Sequence, residues 1–215
     1  MADARGEILA RIRSALADVP ASERRSDVPL TREYRRVDGR PHVELVRLFA
    51  ERVGDYRAVV RLVAAASLRE AITDACRQPE LRRVVVAPGV PESWLPVGPE
   101  LVRDDGLSAA ELDDIDGAIT GCAAAIAETG TIVLDGGALS GRRALTLVPD
   151  HHICVVSAGQ IHGQISEAVA SLAPAVIERR APITLVSGPS ATSDIELERV
   201  EGVHGPRHLT VLIAE

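Results

Sequence analysis

The stretch Arg83-Val84-Val85-Val86-Ala87 decides the fold class. Three successive β-branched residues with no polar alternation describe a strand covered on both faces. Upstream, Tyr56 to Leu62 predicts another strand, and Ser67 opens a helix between the two, with Glu70 at capping-box spacing. Downstream, Leu101 to Asp104 predicts a short strand, and Ser108 with Glu111 repeats the capping box before a brief helix. Asp116 to Thr120, Thr131 to Leu134 and Ile153 to Ser157 are predicted strands. Gly163 to Leu172 is predicted as a helix with Ile165, Val169 and Leu172 on one face, and Ile183 to Ser187 and Leu209 to Ile213 finish the sheet. Strands alternating with short helices give an α/β domain whose largely parallel sheet is flanked by helices.

Toward the N-terminus the pattern changes. Residues 4 to 19 predict a helix with Ile8, Ile12, Ala15, Leu16 and Val19 on one face, suited to packing on its own domain or on a partner. Residues 20 to 41 carry three prolines, Asp38-Gly39 and many charges, as a surface linker does. A second helix follows, with Val46, Phe49, Ala50 and Val53 at i, i+3, i+4 and i+7. The chain therefore divides into an N-terminal helix and linker (1–40) and an α/β domain (41–215).

Composition limits the chemistry. The 215 residues suit one domain plus an appendage, and with 2% aromatics the core must be built from Val, Leu, Ile and Ala. A net charge of −7 argues against binding the nucleic-acid backbone. No apolar run approaches the ~18 residues that span a bilayer, and the charged N-terminus is unlike a secretory signal, so a cytoplasmic location is expected. All 24 basic residues are arginine, a bias that a GC-rich genome explains. Whatever its origin, it removes Schiff-base, pyridoxal phosphate and P-loop lysine chemistry. Cys76, Cys122 and Cys154 are far apart and form no C-x-x-C pair. An iron–sulfur cluster needs about four thiolates, so no cofactor and no metal are expected in this chain.

Two polar corners remain. Ala127-Glu128-Thr129-Gly130-Thr131 precedes one apolar run, and Ser187-Gly188-Pro189-Ser190-Ala191-Thr192-Ser193-Asp194-Ile195-Glu196 follows another. These corners, the segment Gly141 to Val156 and the closing Val203-His204-Gly205-Pro206 resemble the LutC family of lactate-utilisation proteins, which carry the LUD domain. The resemblance covers roughly residues 40 to 215, and the N-terminal helix suits it. It implies a fold like that of the CoA-transferase and ribose-5-phosphate isomerase group. It also implies a part in oxidising L-lactate to pyruvate beside iron–sulfur partner proteins, through which the electrons would travel.

Open parallel sheets bind ligands beyond the carboxyl ends of their strands, so both corners are expected to meet in one pocket there. Candidate ligand-binding residues are Glu128, Thr129, Gly130, Thr131, Gly188, Ser190, Thr192, Ser193, Asp194 and His204, for a small anionic metabolite. Ser193 and Glu196 stand at capping-box spacing, so this corner either begins a ligand-facing helix or merely caps one. Glu128 and His151 are the candidate catalytic groups. Glu128 either touches a ligand or accepts hydrogen bonds from its own turn; by fold analogy it would be the nucleophile of a free-standing enzyme acting on an acyl or sugar-phosphate substrate. His151 and His152 point to opposite faces of a strand, where one is a general base or both are structural. Arg142 and Arg143, after a glycine-rich loop, either pair with a substrate carboxylate or are solvated.

Overall fold

Val84, Val85 and Val86 are fully buried, in an interior strand of a six-stranded sheet. A computed structural model describes residues 4–20, 22–24, 33–77, 80–192, 200–202 and 204–215. The chain forms two units, residues 1–34 and 35–215. The first contains α1 (Ala4–Ala15), which buries none of its residues; Ile8, Ile12, Leu16 and Val19 are exposed.

The second unit runs α2 (His42–Asp55), β1 (Val59–Val63), α3 (Leu68–Arg77), β2 (Arg83–Val86), β3 (Glu100–Arg103), α4 (Ala109–Asp113) and β4 (Gly117–Gly121). It continues with β5 (Ala124–Ile126), β6 (Thr131–Leu134), β7 (His151–Ser157), β8 (Ile161–His162), α5 (Ile165–Ser171) and α6 (Ala173–Arg179). It closes with β9 (Thr184–Val186), β10 (Ala191–Thr192), β11 (Val200–Glu201) and β12 (His208–Ala214). The capping box at Ser108 and Glu111 is formed as expected and opens α4.

The large sheet has the order β1-β12-β7-β4-β2-β3, and each neighbouring pair is parallel. Alternation along β7 sends its side chains to two cores. Ile153 and Val155 join Leu68, Ile72 and Ile119 on the α3 side, while Cys154 and Val156 join Phe49 and Val53 of α2 on the other. The chain is thus an α/β protein with a parallel sheet covered on both faces.

Two expected strands do not extend that sheet. Thr131–Leu134 and the run before Ser187 are β6 and β9 of a second sheet, ordered β8-β5-β6-β9. The physical reason is the connection between β5 and β6. Four residues, 127 to 130, reverse the chain with Gly130 at φ +59, and so short a link permits only antiparallel pairing. The second sheet presents Ala125, Ile132 and Leu134 to the α2-side core and Ala124, Ile126 and Val133 to Ala168 and Leu172. The expected helix after Gly163 also buries a different face, with Ile165 and Val169 exposed. The small side chain of Ala168 is the one that lets α5 approach the alanines of β5 closely.

Candidate functional site

The loop after β6 aims its two arginines apart. Asp135 accepts hydrogen bonds from the Gly137 N–H at 2.9 Å and the Ser140 hydroxyl at 3.1 Å, closing the turn. Arg142 then donates to both oxygens of Asp104 at 2.7 and 2.8 Å and to the Leu107 carbonyl. That pairing holds the buried Asp104 carboxyl below the usual carboxylate range. Arg143 begins a 3-10 turn, and its Nη1 donates to the carbonyl (3.0 Å) and hydroxyl (2.7 Å) of Thr146. Of the two, Arg142 is structural and Arg143 lines a recess.

The recess, about 250 Å³, lies where Ser187 to Ala191, just after β9, meets the amino ends of β7 and β12. His152 and Leu209, opposite each other in register, stand on its large-sheet side. His204, Gly205 and Pro206 form another wall. The expected position at the carboxyl edge of the large sheet is therefore corrected to the amino edge. Ser187 directly follows a strand of the second sheet, and that sheet packs across the face of the first.

The two polar corners do meet. Thr129 and Thr131 share a hydroxyl hydrogen bond of 2.6 Å, and Thr131 continues it to Ser187 at 2.7 Å. Gly130 lies against the backbone of Arg52 and Val53, and Gly188, at φ +113, lies against Tyr56, so neither approach leaves room for a Cβ. Glu128 faces elsewhere, into a separate open depression with Arg35, Asp38, Arg40 and Arg52, where its carboxylate is 3.5 Å from Arg35. Ser190 is held on three sides. Its N–H donates to the Pro206 carbonyl, its own carbonyl accepts from Gly202, and its hydroxyl accepts the His204 N–H at 3.1 Å. Thr192 lies in β10, while Ser193, Asp194 and the short helix expected there lie outside the described residues.

The paired histidines separate as a strand requires. His151 is buried on the α3 side, where its Nε2 is 3.0 Å from the Thr210 hydroxyl and its Nδ1 has no partner among the described residues. Burial, reinforced by His208 and His152, pushes it down to about 4. It does not line the recess; His152 does, with Nε2 2.8 Å from the Thr120 hydroxyl. Behind His152 lie Cys122 and Cys154, free and buried. Hydrogen bonding from Cys122, with His152 and Thr120 also contributing, makes Cys154 the more acidic of the pair. Arg143, Thr146, His152 and Leu209 complete the recess; the sequence offered Arg143 and His152 only as one of two neighbours each, and Thr146 and Leu209 not at all. The alternation at His151-His152 and the Gly-rich loop before Arg143 were the signals for two of them. Leu209 carried none, because an apolar strand residue reads as core.

Among the described residues no three His, Cys, Asp or Glu come together as a metal site requires, and no helix is long and apolar enough to cross a membrane.

This is the architecture of an α/β domain with a polar recess between two sheets, and residues 107–214 match the LUD domain. The chain belongs to the LUD-domain family and is similar to its LutC proteins. Lactate utilization protein C of Deinococcus radiodurans is 53% identical over 171 residues, covering 79% of each chain. The protein of that name from Shouchella clausii is 30% identical over 53% of this chain and 50% of its own. A crystal structure of a DUF162 family protein from Deinococcus radiodurans superposes with a TM-score of 0.71 at 42% identity, over 82% of this chain and 99% of that one.

Proposed function

We propose that this chain is a component of a cytoplasmic L-lactate utilisation system, in which lactate is oxidised to pyruvate. It acts there as a non-redox subunit beside iron–sulfur partner proteins and carries no cofactor of its own. The observation that carries this reading is the 53% identity to a lactate utilization protein C across most of both chains. The cysteines support it: there are three, all buried, with Cys122 and Cys154 together in the α2-side core and Cys76 in the core on the other face of the sheet. A thiolate-held cluster needs about four such ligands converging, so electron transfer falls to other subunits.

The test has two parts. The chain purified alone is assayed for L-lactate oxidation with a dye acceptor, and a tagged copy is recovered from lactate-grown cells. No turnover alone, with recovery of partners showing iron–sulfur absorbance, is the expected result. Robust turnover by the isolated chain, or recovery without such partners, overturns the reading.

A further inference from the structure

We propose that the recess between Arg143, Ser190 and Leu209 is a binding site for a short-chain carboxylate bearing an oxygen on the adjacent carbon. In a chain of net charge −7, the described residues lining this recess include an arginine, two histidines and several hydroxyls, and no carboxylate. The larger depressions around Glu128 and around Asp135 both contain acids. An anion is therefore favoured in this recess and opposed around Asp135, where two acids face one arginine, while the three arginines around Glu128 already face the carboxylates of Glu128, Asp38 and Asp55.

Arg143 spends Nη1 on Thr146 and has no carboxylate partner among the described residues, which leaves the other edge of its guanidinium for a bidentate contact. Thr146 fixes the arginine, so less side-chain freedom is lost when an anion binds. The Ser190 hydroxyl accepts from the His204 N–H and keeps its own proton to donate, suiting a hydroxyl or oxo oxygen beside the carboxylate. Leu209 and Val186 offer apolar surface to a short tail.

About 250 Å³ lies below the ~300–1,000 Å³ typical of sites for drug-sized ligands, so CoA esters and dinucleotides do not fit while acids of a few carbons do. The C2 oxygen rests on the lactate-utilisation reading above; the anion preference rests on the recess alone.

The experiment is calorimetric titration of the full chain with L-lactate, pyruvate, L-lactamide and inorganic phosphate. Saturable binding of lactate or pyruvate, with none of the neutral lactamide, is expected. Arg143→Gln should weaken binding roughly ten- to hundredfold, the range for a lost hydrogen bond to a charged group. Arg77→Gln, at an exposed arginine paired with Asp74, should leave it unchanged. Should Arg143→Gln fail to fold, Ser190→Ala gives the second reading, with affinity expected to fall several-fold. Equal binding of lactamide, tighter binding of phosphate than of either acid, indifference to both substitutions, or no binding at all would each overturn the proposal. Iron–sulfur partners recovered without lactate or pyruvate binding remove this inference alone; binding without such partners removes only the proposed function.

Discussion

Thr131 and Ser187 hold their hydroxyl oxygens 2.7 Å apart across the second sheet. Thr131 is nearly buried and also bonds Thr129 at 2.6 Å, so one short chain of hydroxyls ties the corner at Gly130 to the corner at Gly188. The recess exists because these turns are tied at a point where β6 and β9 already run side by side.

Removing the middle hydroxyl should loosen both corners. Thr131→Val keeps the shape and leaves Thr129 and Ser187 without their shared partner. We expect a loss of about 1–3 kcal/mol, the penalty for stranded polar groups, read by urea denaturation. Thr129→Val, at the end of the chain, should cost less. Equal and negligible effects from both would show that the hydroxyls are satisfied by water.

Gly130 separates backbone strain from steric contact. A Cβ there would stand 2.7 Å from backbone atoms of Arg52 and Val53, whereas Gly98, also at positive φ, faces open space. Gly98→Ala should cost about 1 kcal/mol from conformation alone. Gly130→Ala should cost about 1–3 kcal/mol more, because α2 must shift. Similar melting temperatures for the two variants would contradict this placement of α2.

Phe49 is the chain's one phenylalanine and is fully buried among Leu45, Val53 and the aliphatic residues of β12. Phe49→Ala should cost about 3–5 kcal/mol, a large part of the ~5–15 kcal/mol by which a domain is stable. Far-UV circular dichroism during thermal unfolding reads the loss directly.

His151 should impose a pH dependence. Its folded-state value of about 4 lies below the ~6.5 of an exposed histidine. Between those values the unfolded chain binds a proton that the folded chain does not, so stability rises with pH through that window and levels off above it. Acidification from pH 7 to 5 should destabilise the native protein by about 1–2 kcal/mol through this residue, and His151→Gln should remove that part of the slope. An unchanged slope in the variant would show that His151 titrates normally.

The parallel α/β architecture was legible because its cause is local. A run such as Val84-Val85-Val86 has no polar face to offer water, and the capping box at Ser108 and Glu111 closes within one turn of chain. The site was legible only as a pair of polar corners. Ser187, Gly188 and Ser190 were readable as turn residues, whereas the choice of Arg143 over Arg142 depended on Asp104, which claims the first arginine from a different strand end.

The amino-acid order by itself determined the six strands of the large sheet, that helices cover them, and that the chain carries too few cysteines for a cluster, but not the short strands β5, β8, β10 and β11. Only the tertiary structure decided that β6 and β9 leave the main sheet, that Glu128 turns away from Ser190, and that His152 rather than His151 reaches the recess. Strand propensity and pattern are properties of neighbouring residues, but sheet membership and pocket walls are set by which buried faces meet across dozens of residues. That is a matter of packing, and no local segment encodes it.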